Sequence, residues 1–189
     1  MKHLLDVLDE FGQPTGRQAS IGEVMEKGWW YAGVRGVIYS PDGKVVIQKR
    51  SESMIQHPGM LDVSLGGFID AGETPKQAMV RELKEELGLV IDPDDIEPAG
   101  IRKYDHHWSQ HLKKTSRAFI HGYLIPVRSS DISLIVQPSE VEWARFIDLD
   151  RVKQLINHEH HDSLGRLIPI YAYYKLLIEA LEKRLKVPV

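Results

Sequence analysis

Residues 67–89 read GFIDAGETPKQAMVRELKEELGL. The spacing predicts a loop followed by one helix from Thr74 to Leu87. Thr74 is a cap-type residue, and Pro75 follows at the first helical position, where its missing N–H costs nothing. Gly88 is a natural stop, because it takes the left-handed conformation after a last turn. Met79, Leu83 and Leu87, with Val80 beside them, recur at helical spacing and form a stripe that faces a core. Glu82, Glu85 and Glu86 fall on the neighbouring arc. Their three- and four-residue spacings set like charges against one another, at roughly 0.2–0.5 kcal/mol per pair on an exposed helix. A packed helix has little reason to hold three carboxylates beside its buried face, and a divalent cation removes the conflict. Hard carboxylate oxygens select Mg²⁺ or Mn²⁺. An isolated E-x-x-E-E reads first as a solvated acidic face paired with Lys76 and Lys84. The flanking Gly67, Glu73, Arg81 and Gly88 turn the reading toward a metal.

Those positions form one pattern: Gly67, then Glu73, then Arg81-Glu82-Leu83, Glu85-Glu86 and Gly88-Leu89. The pattern resembles the Nudix box, the signature of hydrolases that cut diphosphate bonds in nucleoside diphosphates linked to another group. The resemblance implies an α/β fold, the Nudix-type α/β/α sandwich with a mixed central sheet. It also implies roles. Glu73 and Arg81 would form an ion pair tying the loop to the helix, for which a planar guanidinium is suited. The Gly67 carbonyl with Glu82, Glu85 and Glu86 would ligate Mg²⁺ or Mn²⁺. Bound cations would neutralise phosphate oxygens and lower the pKa of an attacking water, and a carboxylate would take its proton. Glu82 is one candidate base. Many family members place another on a later loop, and Glu140 or Glu142 in QPSEVEWARF fits that position, unless both are plain charges flanking a strand. The implied catalytic set is Glu73, Arg81, Glu82, Glu85 and Glu140.

Composition sets the frame. A chain of 189 residues, 42% hydrophobic, fits one domain with a full core. The expected organisation is a single domain over 1–189, with an N-terminal extension over 1–30, the signature over 67–89 and a C-terminal amphipathic helix within 165–189. A formal net charge of −3, both signs interspersed, marks no nucleic-acid surface. There is no cysteine, hence no disulfide, thiolate metal site or cysteine nucleophile. No apolar run is long enough to span a bilayer, and MKHLLDVLDE lacks a signal-peptide pattern. These features predict a soluble cytoplasmic protein with neither nucleic-acid nor membrane partner; the resemblance adds a small-molecule diphosphate substrate. A homodimer is left open.

Along the chain, Leu4 to Leu8 is a short apolar segment followed by turn formers, and Ile21 to Lys27 reads as a helix closed by Gly28. Val34 to Tyr39, the turn Ser40-Pro41-Asp42-Gly43, and Val45 to Gln48 predict a hairpin. An irregular stretch then runs from Ser51 to Gly72, broken by a short strand around Leu61 to Leu65; its length and its lead into the carboxylate helix suggest function. Strands are expected at Ile96 to Tyr104, Ser116 to Pro126 and Val141 to Ile147, and a helix at Leu149 to Ile156. A last helix runs from Pro169 to Leu185, its apolar face built on Ile170, Tyr173, Tyr174, Leu177, Ile178 and Leu181.

The resemblance extends past the box. LLDVLDEFGQPTGRQ, GWWYAGVRGVIYS, VVIQKRS and HPGMLDVSLGGFIDAGE look like the isopentenyl-diphosphate isomerase-like branch, in which an N-terminal hairpin precedes the core. True isomerases of that branch use a cysteine, absent here, and carry a histidine where Phe68 follows Gly67. Hydrolysis is therefore the expected chemistry; a ligand-binding module without turnover would usually have lost box carboxylates. Substrate markers are few. The NADH-type S-Q-P-W-P segment is absent, and Tyr104 stands where ADP-ribose hydrolases often have proline. A tyrosine near there resembles the dinucleoside polyphosphate marker and could stack on a base or merely end a strand. Trp29, Trp30 and Tyr31 could reach a base or pack in the core. Arg50, with Lys49, Arg35 and Arg102, are candidate diphosphate contacts. His106 or His107, in a polar loop with Trp108 and His111, could contact phosphate or ribose. The cluster His158-Glu159-His160-His161-Asp162 could hold a transition metal but fits no template, and reads better as a solvated loop.

Overall fold

The computed structural model of the chain describes residues 4–54, 56–107, 115–157 and 163–186. Its strands are β1 (Leu4–Leu8), β2 (Pro14–Ser20), β3 (Trp30–Tyr39), β4 (Lys44–Arg50), β5 (Leu61–Val63), β6 (Leu65–Phe68), β7 (Glu97–His107), β8 (Thr115–Pro126) and β9 (Val141–Asp148). Its helices are α1 (Ile21–Lys27), α2 (Pro75–Leu87), α3 (Leu149–Asn157) and α4 (Tyr171–Lys186). Among the described residues no helix is long and apolar enough to cross a membrane.

β3 is the hub. It runs parallel to β8 along its whole length, from Trp30↔Arg117 to Tyr39↔Pro126, and antiparallel to β6, from Gly33↔Phe68 to Gly36↔Leu65. β7 extends this leaf antiparallel to β8. β4 carries a second leaf, with β5 on one side and β9 on the other. Alternation along the strands then sorts side chains to two faces. Val34 and Ile38 of β3 and Val46 of β4 pack with Met79, Leu83 and Leu87 of α2. Val37, Val45 and Ile47 pack with α3 and α4, through Val152, Leu155, Tyr174 and Leu177. The result is a mixed sheet between helical layers. Full burial of Met79, Leu83 and Leu87 stabilises the α2 layer by about 1.5–3 kcal/mol per side chain.

The predicted hairpin differs from the observed one. β3 and β4 pair only beside their turn, at Tyr39↔Val45. Beyond it they splay, and residues 61–68 fill the gap. What reads in sequence as one short strand is two: β5 joins the β4 leaf and β6 the β3 leaf. Ser64 sits in the fork, fully buried. Its hydroxyl donates to Val46 O (2.6 Å) and accepts from Ile38 N (3.0 Å), one strand of each leaf. A second tie crosses nearby. Arg35 on β3 pairs with the buried Asp62 on β5, with Nη1 2.7 Å from Oδ2. Asp62 also accepts from Tyr174 Oη on α4 (2.7 Å) and from Val63 N (2.8 Å). Burial, the largest single influence, opposes its ionisation, but the Arg35 charge and hydrogen bonds, with Arg50 and Tyr174, together outweigh it and hold its carboxyl below the usual range.

β1 and β2 form an N-terminal hairpin that, with α1, covers Tyr31 and Ala118 through Leu5, Val7, Ala19 and Val24. It also steadies the loop ahead of α2: Ala71 N donates to Leu4 O (2.7 Å) and Gly72 N to Asp6 Oδ2 (2.9 Å).

Candidate active site

α2 is delimited by local chemistry. Thr74 Oγ1 accepts from Gln77 N and Gln77 Oε1 accepts from Thr74 N, a reciprocal cap. Gly88 ends the helix at φ 66°, its N–H donating to the carbonyls of Leu83 and Lys84. With the apolar stripe pressed on the sheet, the acidic arc is carried to the edge of the core. Glu82 is 7% exposed and Glu86 3%, while the Glu85 side chain is half exposed.

Arg81 organises the loop-to-helix junction. Its Nε and Nη2 each meet a Glu73 oxygen at 3.0 Å. Nη2 also donates to Phe68 O (2.9 Å), and Nη1 to Glu82 Oε1 (2.8 Å) and Glu85 Oε2 (3.2 Å). A guanidinium has five N–H donors, and these contacts engage all of them.

The two glycines of β6 serve opposite faces. A Cβ on Gly67 would overlap the Glu82 carboxyl; one on Gly66 would come within 2.8 Å of Arg35 Cγ. The bare backbone at Gly67 thus lets Glu82 lie directly on the strand.

Glu86 is met by Gln48 of β4, whose Nε2 donates to Oε2 at 3.0 Å. The loop before β9 closes the other side: Gln137 N donates to Glu86 O (3.0 Å), Glu140 N to Gln137 O (2.9 Å), and Ser51 N to Glu140 O (2.8 Å). Burial pushes the Glu82 carboxyl up to about 7 against Arg81, which lowers it, and Glu140 and Glu85 raise it further. Burial, and then the Glu82 charge, pushes Glu86 well above the carboxylate range. Glu140 therefore stands within electrostatic reach of both. Glu142 does not share this position; it is exposed and pairs with Lys49 (2.7 Å).

The donor set fits a hard divalent cation. It consists of oxygen ligands, two of them buried carboxylates: Glu82 lies against the bare Gly67 and shares the single Arg81 charge with Glu73 and Glu85, and Glu86 has only the neutral Gln48 on its carboxyl. Among the described residues no group of three His, Asp or Glu side chains is already arranged to hold a metal; Glu85 turns to Arg81 instead.

A folded state that keeps a proton longer than the unfolded chain is favoured at low pH. For Glu82 the contribution is fully present below its ordinary 4.5 and is lost as pH rises through about 7. In EDTA, the melting temperature should fall between about pH 5 and about pH 8, and Glu82→Gln should flatten the slope. A metal-free melting temperature that stays level or rises across that window would contradict the described burial.

The other candidate residues are dispersed. Arg50 Nε donates to Gln56 O (3.2 Å). Tyr104 is half-buried, stacked on the exposed His106 with ring centroids 5.9 Å apart. Arg102 reaches Ala172 O (3.4 Å), on the α4 side. Tyr31 is buried and bonded to Ser116 (2.7 Å), and Trp29 lies under Arg17. Trp30 lines a surface hollow with Glu10, Lys103, Asp105 and Arg117, none of them a residue of the carboxylate site. The His107 side chain, Trp108, His111 and the cluster 158–162 lie outside the described residues. Sequence reasoning passed over Gln48 and the Phe68 carbonyl. The first carries a signal, a polar residue at a core-facing position of V-V-I-Q; the second, a backbone acceptor, carries none.

A NUDIX domain family model matches residues 30–167. An uncharacterized Nudix hydrolase of Clostridium acetobutylicum is 32% identical over 95% of this chain and 97% of that protein. One of Listeria monocytogenes is 31% identical over 88% of each. Among solved structures, DR0079 from Deinococcus radiodurans superposes with a TM-score of 0.65 at 20% identity, covering 91% of this chain and 97% of its own. The NUDIX domain of Shewanella oneidensis NrtR, solved with ADP ribose, has a TM-score of 0.59 at 19% identity, covering 82% and 88%. At such identities the structures speak for the fold alone.

Proposed function

The chain belongs to the Nudix family and is a hydrolase of pyrophosphate bonds; from that premise we propose that it cuts a small molecule of nucleoside diphosphate type by attack of water on phosphorus. The observation that carries the site assignment is the pair of buried carboxylates, Glu82 and Glu86, at the edge of the split sheet. The Gly67 carbonyl with Glu82, Glu85 and Glu86 would hold Mg²⁺ or Mn²⁺. Bound there, the cation supplies charge neutralisation on the diphosphate and a more acidic water.

The remaining roles belong to the protein. Arg81, with every N–H engaged, fixes Glu73, Glu82 and Glu85 in place and positions rather than touching substrate. Glu140 is the stronger candidate for accepting the water's proton: it lies beside Glu82 and Glu86 on a loop bonded to α2, whereas Glu142 faces Lys49. Glu140→Gln should lower kcat by about 10²–10⁴-fold, and Glu142→Gln should leave it near normal. Equal effects of the two would remove Glu140 from the mechanism. Arg50 remains the proposed diphosphate contact, and Tyr104 with His106 the proposed edge of a base subsite. The isomerase-like branch is supported by the N-terminal hairpin, and the missing cysteine favours hydrolysis within it.

The test is product release from ADP-ribose, Ap4A, nucleoside diphosphates, nucleotide sugars and isopentenyl diphosphate, with Mg²⁺ or Mn²⁺ and with EDTA. Metal-dependent cleavage of a nucleotide member supports the reading. Cleavage of isopentenyl diphosphate alone would replace the nucleoside class, and tight nucleotide binding without turnover would favour a ligand-binding module.

A further inference from the structure

Gln48 lies on β4 with its side chain 1% exposed. One end of its amide is used, donating to Glu86 Oε2 at 3.0 Å. The other end, Oε1, is buried and finds no hydrogen-bond partner among the described residues. With Glu86 ionised, as a cation ligand is, reversing the amide would set oxygen against oxygen, so the N–H belongs on Glu86 and the oxygen is the end left without a partner. Buried polar atoms are normally satisfied, and each exception calls for a missing partner. By covalent geometry the orphaned oxygen is one amide width from the nitrogen that touches Glu86. It is a neutral, hard donor beside the buried Glu86 carboxyl.

We infer that Gln48 is a positioning residue of the cation site, holding Glu86 through its N–H and offering its oxygen to the hydrated cation. This rests on the hydrolase reading above, in which Glu86 is a ligand. The sheet supports the geometry. Gln48 is opposite Asp62 on β5 and Ala144 on β9, so the strand holding it is paired on both sides. Partners of metal ligands typically change metal affinity by about 10–100-fold when removed. Gln48 therefore acts on how tightly the cation is held, while the bond-breaking step is left to the groups that touch substrate.

The experiment measures Mn²⁺ binding to the full chain without substrate, by calorimetry or by the loss of the free-ion paramagnetic resonance signal. Gln48→Leu should raise the Mn²⁺ Kd by about tenfold or more and raise the Mn²⁺ concentration needed for half-maximal turnover in step. Its kcat at saturating Mn²⁺ should stay within about threefold of wild type. Melting in EDTA checks the fold; should Gln48→Leu fail to fold, Gln48→Asn, whose amide is drawn back by one carbon, reads the same loss. Wild type that binds Mn²⁺ while folded Gln48→Leu binds it equally well overturns this inference alone. Wild type that binds no Mn²⁺ overturns the metal site and this inference together.

Discussion

Glu86→Gln should lower kcat/KM by about three orders of magnitude, the equivalent of several kcal/mol of lost charge stabilisation at ~1.4 kcal/mol per tenfold. The same variant should melt no lower than wild type in EDTA. The two halves have one cause. Glu86 is 3% exposed, beside Glu82 and Glu140, and its hydrogen-bond partner is the neutral Gln48. A carboxylate there is unfavourable for folding, and the proposed cation would explain its presence. Glutamine has nearly the same shape and removes the charge, so the site loses a cation ligand while the core loses a desolvation penalty. Initial rates across Mg²⁺ concentrations, with a melting curve in EDTA, measure both. Turnover within about threefold of wild type at ordinary Mg²⁺ would remove Glu86 from the ligand set. A collapse of stability with turnover intact per folded molecule would give the carboxylate a structural role instead.

Asp62→Ala should destabilise the fold by about 3–5 kcal/mol, as expected when one member of a buried ion pair is removed and the other left uncompensated. Asp62 is fully buried and gathers Arg35, Tyr174 and the Val63 amide. Without it the guanidinium faces the α4 layer with no counter-charge, and the Tyr174 hydroxyl loses its acceptor. Tyr174→Phe removes only one hydrogen bond and should cost about 1 kcal/mol. Urea denaturation of both variants separates the charge from the hydroxyl. A loss below about 1 kcal/mol for Asp62→Ala would mean that Arg35 reaches water and that the tie between leaves is dispensable.

What was legible in the sequence was local. Thr74, Pro75, Gly88 and the Met79-Leu83-Leu87 stripe delimit α2 through contacts a few residues apart, and the observed helix begins one residue after the cap. The last helix starts at Tyr171 rather than Pro169 because Ile170 N turns back to Ile168 O before the helix begins. Residues 61–65 could not be divided by inspection. Leu61, Val63 and Leu65 alternate with Asp62 and Ser64 without a break, the pattern of one strand, and what splits it is the choice of partner strand, which depends on residues far along the chain. Glu140 and Glu142 have the same charge two positions apart, and only the hydrogen bonds from Gln137 and Ser51 place the first beside α2. The saturation of Arg81 was hidden for the same reason: its acceptors include a carbonyl, and a sequence does not display carbonyls.

The forked sheet also determines how the protein can move. Two leaves joined at Tyr39↔Val45 and pinned at Ser64 are expected to flex in the angle between them, against the two cores they share. Arg35 and Asp62 act as the stop, since they meet across the gap. Glu82 and Glu86 ride on α2 with the β3 leaf, and Gln48 rides on the β4 leaf, so the Gln48–Glu86 bond crosses the same gap. Breathing of the leaves, on the microsecond-to-millisecond scale of such collective motions, would stretch that bond directly. A cation held by Glu86 would resist that opening, and relaxation-dispersion signals from both leaves should quench together as Mg²⁺ is added.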